Sequence, residues 1–140
     1  NLHPGLLEHV GLGAALEALV RLRAEQWDGE IHFEWEPADN RPDIDTTLCL
    51  YRIAQEALHN AVQHSGARHI RLQLEADAGR YLLVVEDDGV GFDLERIQRA
   101  GGLGLLSMQE RALLRGGRMT VISSPGSGTQ IRVRIPAGPP

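Results

Sequence analysis

A chain of 140 residues has the length of one domain and can bury a core without metal or disulfide staples. Its net charge of -5, with no run of Lys or Arg, argues against nucleic acid as the main partner. Apolar runs of a few residues, such as Tyr81 to Val85, fall far short of the roughly 20 needed for a membrane helix, so no membrane contact by this chain is expected.

Cys49 is the single cysteine, so it can form no internal disulfide and lacks a second thiolate for zinc; a reducing, cytoplasmic setting is expected. The opening Asn1-Leu2-His3-Pro4, without Met, fits a piece of a longer protein, and any membrane attachment is expected upstream. No long apolar stripe is left for self-association, so the isolated chain is expected to be monomeric.

After Pro4, the apolar positions Leu6, Val10, Ala14, Leu16, Leu19 and Val20 recur with helical spacing and predict a helix from Leu6 to Arg23. Ile31, Phe33 and Trp35 alternate with His32, Glu34 and Glu36 as a half-buried strand ended by Pro37. A second helix follows: Asp45 can cap its start, Leu48 to Gln63 holds no Gly or Pro, and Ser65-Gly66 can end it. Strands at Ile70 to Glu75 and Tyr81 to Glu86 are joined by a turn at Asp77 to Gly79. The glycine-punctuated segment Asp88 to Gly104, with a polar, non-strand stretch at Asp93 to Ala100, leads into a helix from Ser107 to Arg115 stopped by Gly116-Gly117. Strands Met119 to Ser123 and Gln130 to Ile135 flank the turn Ser124 to Gly128, and residues 136–140 read as a tail. With no repeat or internal linker, residues 1–140 are expected to form one α/β domain. It is an α+β two-layer sandwich, a mixed, antiparallel-rich sheet covered on one face by helices.

Three segments carry candidate chemistry. On the second helix Arg52, Glu56, Asn60, Gln63 and His64 share one narrow polar arc; a carboxylate, an amide and an imidazole there suit a metal-phosphate site, and a solvated face is the alternative. Asp87-Asp88-Gly89-Val90-Gly91-Phe92 leaves an apolar strand. It is either a hairpin turn or a place where a carboxylate meets a base amine and glycines let a ligand approach the backbone. Gly101-Gly102-Leu103-Gly104-Leu105 opens into a helix whose N–H groups can face phosphate. A dinucleotide fingerprint is rejected because no strand precedes Gly102-x-Gly104 and Leu94 stands where Gly89-x-Gly91 needs a third glycine; P-loop, zinc and serine-hydrolase spacings are absent too.

Taken together, these segments resemble the nucleotide-binding boxes of the GHKL superfamily of gyrase-type ATPases, Hsp90 chaperones, histidine kinases and MutL. Gln55 to Ser65 resembles the asparagine box of nitrate-sensor-like histidine kinases, Asp87 to Phe92 the first glycine box, and Gly102 to Leu105 with Met108 to Arg111 the second. Gly126-Ser127-Gly128-Thr129 resembles the closing Gly-x-Gly-Thr, and Leu2-His3-Pro4 with Gly11-Leu12 and Ala15-Leu16 the connector from a dimerisation domain, here residues 1–10.

The resemblance implies a Bergerat-type fold that binds ATP with magnesium and presents the γ-phosphate to a histidine on a separate dimerisation and phosphoacceptor domain, a response regulator being served indirectly. It implies Asn60 as the metal ligand, with Glu56 polarising the attacking group or a water and so near the metal through water. Asp87 and Thr129 would read adenine. Gly91, Gly102 and Gly104 would frame a mobile lid, and Gln63, His64, Gly89 and Leu105 complete the nucleotide site. Two departures stand out: Gln63 replaces a Lys of the asparagine box, removing a positive charge from the triphosphate, and no acceptor-histidine motif is present, so self-labelling is not expected. An anti-sigma-type serine kinase or ATPase, or a nucleotide-sensing module, are the other functions these motifs allow.

Overall fold

The computed structural model describes residues 7, 10–36, 42–77 and 79–138. The expected Leu2-His3-Pro4 connector, Leu6, the strand stop Pro37 and the end of the tail at Pro139 and Pro140 lie outside them.

Period-two alternation builds one five-stranded sheet from β1 (Glu30–Trp35), β2 (His69–Asp77), β3 (Arg80–Asp87), β4 (Arg118–Ser123) and β5 (Thr129–Pro136), in the order β1-β2-β3-β5-β4. β1 and β2 are parallel, because the chain returns between them through a helix long enough for the crossover; the other neighbours are antiparallel. The register aligns Phe33, Leu72, Val85, Ile131 and Val121 in one row and Trp35, Leu74, Leu83, Val133 and Met119 in the next. A register slip of one residue would turn all of these to solvent, so the rows fix the pairing.

Three helices press apolar faces on these rows: α1 (Leu12–Glu25), α2 (Ile44–His64) and α4 (Leu105–Leu114), with Leu16, Leu50, Ile53 and Leu58 fully buried between the layers. Each such side chain contributes about 1.5–3 kcal/mol through burial. Cys49 is a buried filler here: its thiol, pushed up to about 11 by burial against the weaker pull of Arg111 and Arg115, bonds the Arg111 carbonyl.

Several boundaries differ from the sequence expectation. α2 is capped by Asp43, not Asp45: Asp43 has extended backbone and accepts the Thr46 N–H at 2.8 Å, while Asp45 sits inside the first turn. The Arg115 guanidinium reaches the Asp43 carboxylate at 3.3 Å and that of Asp45 at 3.9 Å. Burial opposes the Asp43 charge, but the Thr46 bonds and Arg115 outweigh it and hold its pKa below the ordinary value. The helix expected from Leu6 breaks at Gly11, whose φ is positive: Leu7 and Val10 are helical before it, and α1 runs from Leu12 to Glu25. The stretch Asp93 to Ala100 is a short helix, α3 (Leu94–Ala100), capped by Asp93 and ended by left-handed Gly101, and α4 begins at Leu105 rather than Ser107. Finally, β5 takes in Pro136, and the Ala137 N–H bonds the Gly79 carbonyl at 2.8 Å, so the sheet extends two residues into the expected tail.

Candidate nucleotide site

β3 ends at Asp87, whose carboxylate accepts the Gly89 N–H at 2.8 Å. Burial raises the Asp87 pKa; the backbone N–H groups of Gly89 and Thr129 pull it back, while the charges of Asp88 and Glu86 push it further up. Beside it the loop 87–92 and the turn 124–128 lie backbone against backbone. Gly91 (φ 65°) has no room for a Cβ beside the Ser124 carbonyl, nor Gly128 (φ 71°) beside the Asp87 carbonyl.

Hydrogen bonds lock this floor. Val90 N–H bonds Ser65 O at 2.8 Å and Gly126 N–H bonds Val90 O at 2.6 Å. Ser123 Oγ accepts the Phe92 N–H, meets Thr129 Oγ1 at 2.9 Å and reaches the Gly128 carbonyl at 3.0 Å. A hydroxyl has one proton; with Ser123 donating to Gly128, Thr129 donates to Ser123 and keeps lone pairs for a ligand. Asp88 is turned away and accepts from the Arg68 and His69 N–H groups and pairs with the His69 ring, contacts that hold its pKa at about 2.

Between this floor and α2 lies a cavity of about 190 Å³, lined by Asn60, His64, Asp87, Gly91, Leu105 and Thr129 together with apolar side chains such as Phe92 and Ile131. That is below the roughly 300–1,000 Å³ of pockets that take whole drug-sized ligands, so it suits one ring system with the rest of the ligand outside. Over its mouth runs the segment 93–104. Asn60 Nδ2 donates to the Leu103 carbonyl at 2.6 Å, and Leu103 itself has φ 64°, a left-handed backbone costing a non-glycine residue of order 1–3 kcal/mol. Gly104, also left-handed, caps α4 and leaves no room for a Cβ beside Glu56, 2.8 Å from its carboxylate oxygen.

The structure thus gathers Asn60, His64, Asp87, Gly91, Leu105 and Thr129 around one cavity. Gly89 is bonded to Asp87, Glu56 lies against Gly104, Gly102 is near Ile97, and Gln63 is exposed and not part of the cavity wall. Ser123 and Asp88 anchor the site without having been singled out from sequence, as did the apolar lining of Ala57, Ala61, Val85 and Ile97. Among the described residues no group of three or more His, Cys, Asp or Glu side chains is placed to hold a metal ion, so a cation at this mouth would depend on a carboxamide and on the ligand's own oxygens.

Sheet, helices and cavity define a two-layer α/β domain with a ring-sized cavity between α2 and the sheet, the Asp87 carboxylate in its wall and the segment 93–104 beside it. The sequence pattern of histidine kinase-, DNA gyrase B-, and HSP90-like ATPases matches residues 45–139, and the chain belongs to that family. It is 40% identical over 143 residues to an uncharacterized sensor-like histidine kinase of Chloroflexus aurantiacus, covering 97% of this chain and 24% of that protein. It is 39% identical over 140 residues to the sensor histidine kinase LiaS of Bacillus subtilis, covering 99% and 38%. The chain therefore spans about a quarter to two fifths of these relatives. The fold matches the histidine kinase domain of the blue-light activated histidine kinase from Erythrobacter litoralis EL346 with a TM-score of 0.77 and 22% identity, over 91% of this chain and 61% of that one. No helix among the described residues is long and apolar enough to cross a membrane.

Proposed function

We propose that residues 1–140 are the ATP-binding catalytic domain of a cytoplasmic sensor histidine kinase, with residues 1–10 as the connector from its dimerisation domain. The observation that carries this reading is the ring-sized cavity with half-buried Asp87 in its wall and Asn60 bonded to the Leu103 carbonyl of the glycine-rich segment. Asp87 accepts a hydrogen bond from the adenine amine and Thr129 offers lone pairs beside it. The phosphates leave through the mouth, past Asn60 and His64, toward Gly102 and Gly104.

Magnesium, coordinated by phosphate oxygens, would supply charge neutralisation on the triphosphate. The Asn60 side chain fits it: its Nδ2 is engaged with Leu103, which leaves the hard oxygen for a cation. Glu56, four residues earlier on α2, polarises the attacking group or a water. A histidine nitrogen of the separate phosphoacceptor domain attacks the γ-phosphorus; a P–N bond forms, the bond to the bridging oxygen breaks, and ADP leaves. Transfer onward to a response regulator follows on the acceptor domain. Catalysis of this kind rests on positioning and charge neutralisation.

The test is to mix the chain with ATP, magnesium and a separately produced dimerisation domain of the same protein. Acid-labile, base-stable label on that domain is expected. Acid-stable label on serine would mean a serine kinase instead, and ATP binding without any label would mean a nucleotide-sensing module, the reading favoured by the uncharged, exposed Gln63.

A further inference from the structure

The face of the sheet turned away from the helices has a charge pattern that the nucleotide site does not use. In one row across it the register sets Glu75, Leu82, Arg134 and Arg118 side by side; in the next come Glu34, Gln73, Val84, Arg132 and Thr120. Glu36 follows on β1, and Arg80 begins β3. In these two rows acids therefore occupy the β1–β2 half and bases the β5–β4 half, with half-buried Leu82 and buried Val84 on the central strand; Arg71 stands on β2 in the row of Glu86. Each half forms its own hollow, one lined by Glu34, Glu36 and Glu75, the other by Arg80, Arg118, Arg132 and Arg134. Arg118 and Arg134 stand directly opposite each other across β4 and β5, an unfavourable like-charge pair, and among the described residues no carboxylate pairs with either.

We propose that this open face is a self-complementary docking surface whose occupant is a second copy of the chain. A two-fold axis lying in the interface parallel to β3 exchanges the halves: Glu36 and Glu75 of one copy fall on Arg118 and Arg134 of the other, and half-buried Leu82 meets its own counterpart, with Val84 already buried beneath its neighbours. An interface of this kind closes on itself, since the same patch serves both partners. Sheet faces pack in this way at about 30° between strand directions. The axis also brings Glu86 near its own copy and Arg80 near its own copy, each with an opposite charge beside it in register, Arg71 for Glu86 and Asp77 for Arg80. Strand spacing gives a face of roughly 500 Å² per copy, at the lower bound for specific interfaces, so the pairing is weak, reversible and salt-sensitive. The expectation of a monomer rested on apolar surface alone; here the complementarity is in charge.

Sedimentation equilibrium at protein concentrations up to about 1 mM reads the pairing. Self-association is expected at about 20 mM salt, weakening at least about tenfold at 0.5 M. Arg118→Glu with Arg134→Glu should abolish it, and so should Glu36→Arg with Glu75→Arg, because each variant then sets like charges against each other where positions 36 and 75 of one copy meet positions 118 and 134 of the other. An equimolar mixture of the two variants should restore a dimer, which also shows that both are folded. Glu86→Gln, by removing a like-charge contact on the axis, should strengthen the wild-type dimer severalfold. A wild-type chain that stays monomeric at low salt, self-association indifferent to salt or to the reversals, or a mixture that fails to pair would each overturn the proposal.

Discussion

At the Asp87 end of the cavity backbone meets backbone: Gly91 lies on Ser124, Gly128 on Asp87, and the loops are tied by the Val90, Gly126 and Phe92 N–H groups. At the Leu103 end the cover is tied to α2 by the Asn60 amide and carries a non-glycine residue in a left-handed conformation. The first end is fixed by packing that exists before any ligand arrives. The second is held by one side-chain hydrogen bond and carries backbone strain that a rearrangement would release. A site built in this way recognises the base with a rigid part and reserves rearrangement for the phosphates.

The largest expected effect comes from making one substitution at both ends. Gly91→Ala places a Cβ against the Ser124 carbonyl on a left-handed backbone and should destabilise the fold by about 2–4 kcal/mol. Gly102→Ala meets only Ile97, at 3.9 Å, and should change stability by less than about 1 kcal/mol. Thermal melts of both proteins check this; equal losses would erase the contrast between floor and cover.

Asp87→Asn separates binding from stability. Loss of the carboxylate should weaken ATP by about 10–150-fold, the value of a charge-assisted bond of roughly 1.5–3 kcal/mol, and weaken GTP less. A carboxyl whose folded pKa is raised by burial binds its proton more tightly folded than unfolded, so its ionisation costs stability as pH rises through that range. Asn removes this cost and can still accept the Gly89 N–H, so the nucleotide-free variant should melt no lower than wild type at pH 7. Calorimetric titrations with both nucleotides, paired with melts, check the split.

Gln63→Lys is the smallest change and probes the outer end. Gln63 is exposed and off the cavity wall, so an ammonium there can reach only phosphates that emerge along α2. A gain of about 1 kcal/mol, severalfold in ATP affinity, is expected at low salt, shrinking as salt rises and absent for adenosine. An equal gain for adenosine would mean that this helical face does not meet the triphosphate.

The sheet, the long helix and its end at Ser65-Gly66 were legible because alternation and helical periodicity are local signals written over many residues. The cap at Asp43 was not, since two nearby acids can each offer a carboxylate to the first turn, and it is the extended backbone at Asp43 that lets it accept the Thr46 N–H. α3 was missed although Asp93 and Gly101 both bound it, because its seven residues bury no side chain fully and offer only Leu94 and Ile97 as an apolar pair. Asp87, Asn60 and Gly91 could be picked out as polar or glycine residues in unusual settings, and Thr129 through the resemblance of Gly126-Ser127-Gly128-Thr129 to the closing Gly-x-Gly-Thr. Phe92, Val85 and Ile131 could not, because an apolar residue lining a cavity and one filling a core look alike in sequence.

Amide hydrogen exchange with and without ATP and magnesium tests the division of the cavity most directly. The amides of Gly89, Val90 and Gly126 should already be protected in the free protein and change little on binding. Those of Gly102, Leu103 and Gly104 should exchange fast when free and gain at least about tenfold protection with nucleotide. Protection that rises equally at both ends, or a cover as slow as the floor before ATP is added, would contradict a rigid base site beneath a ligand-ordered lid.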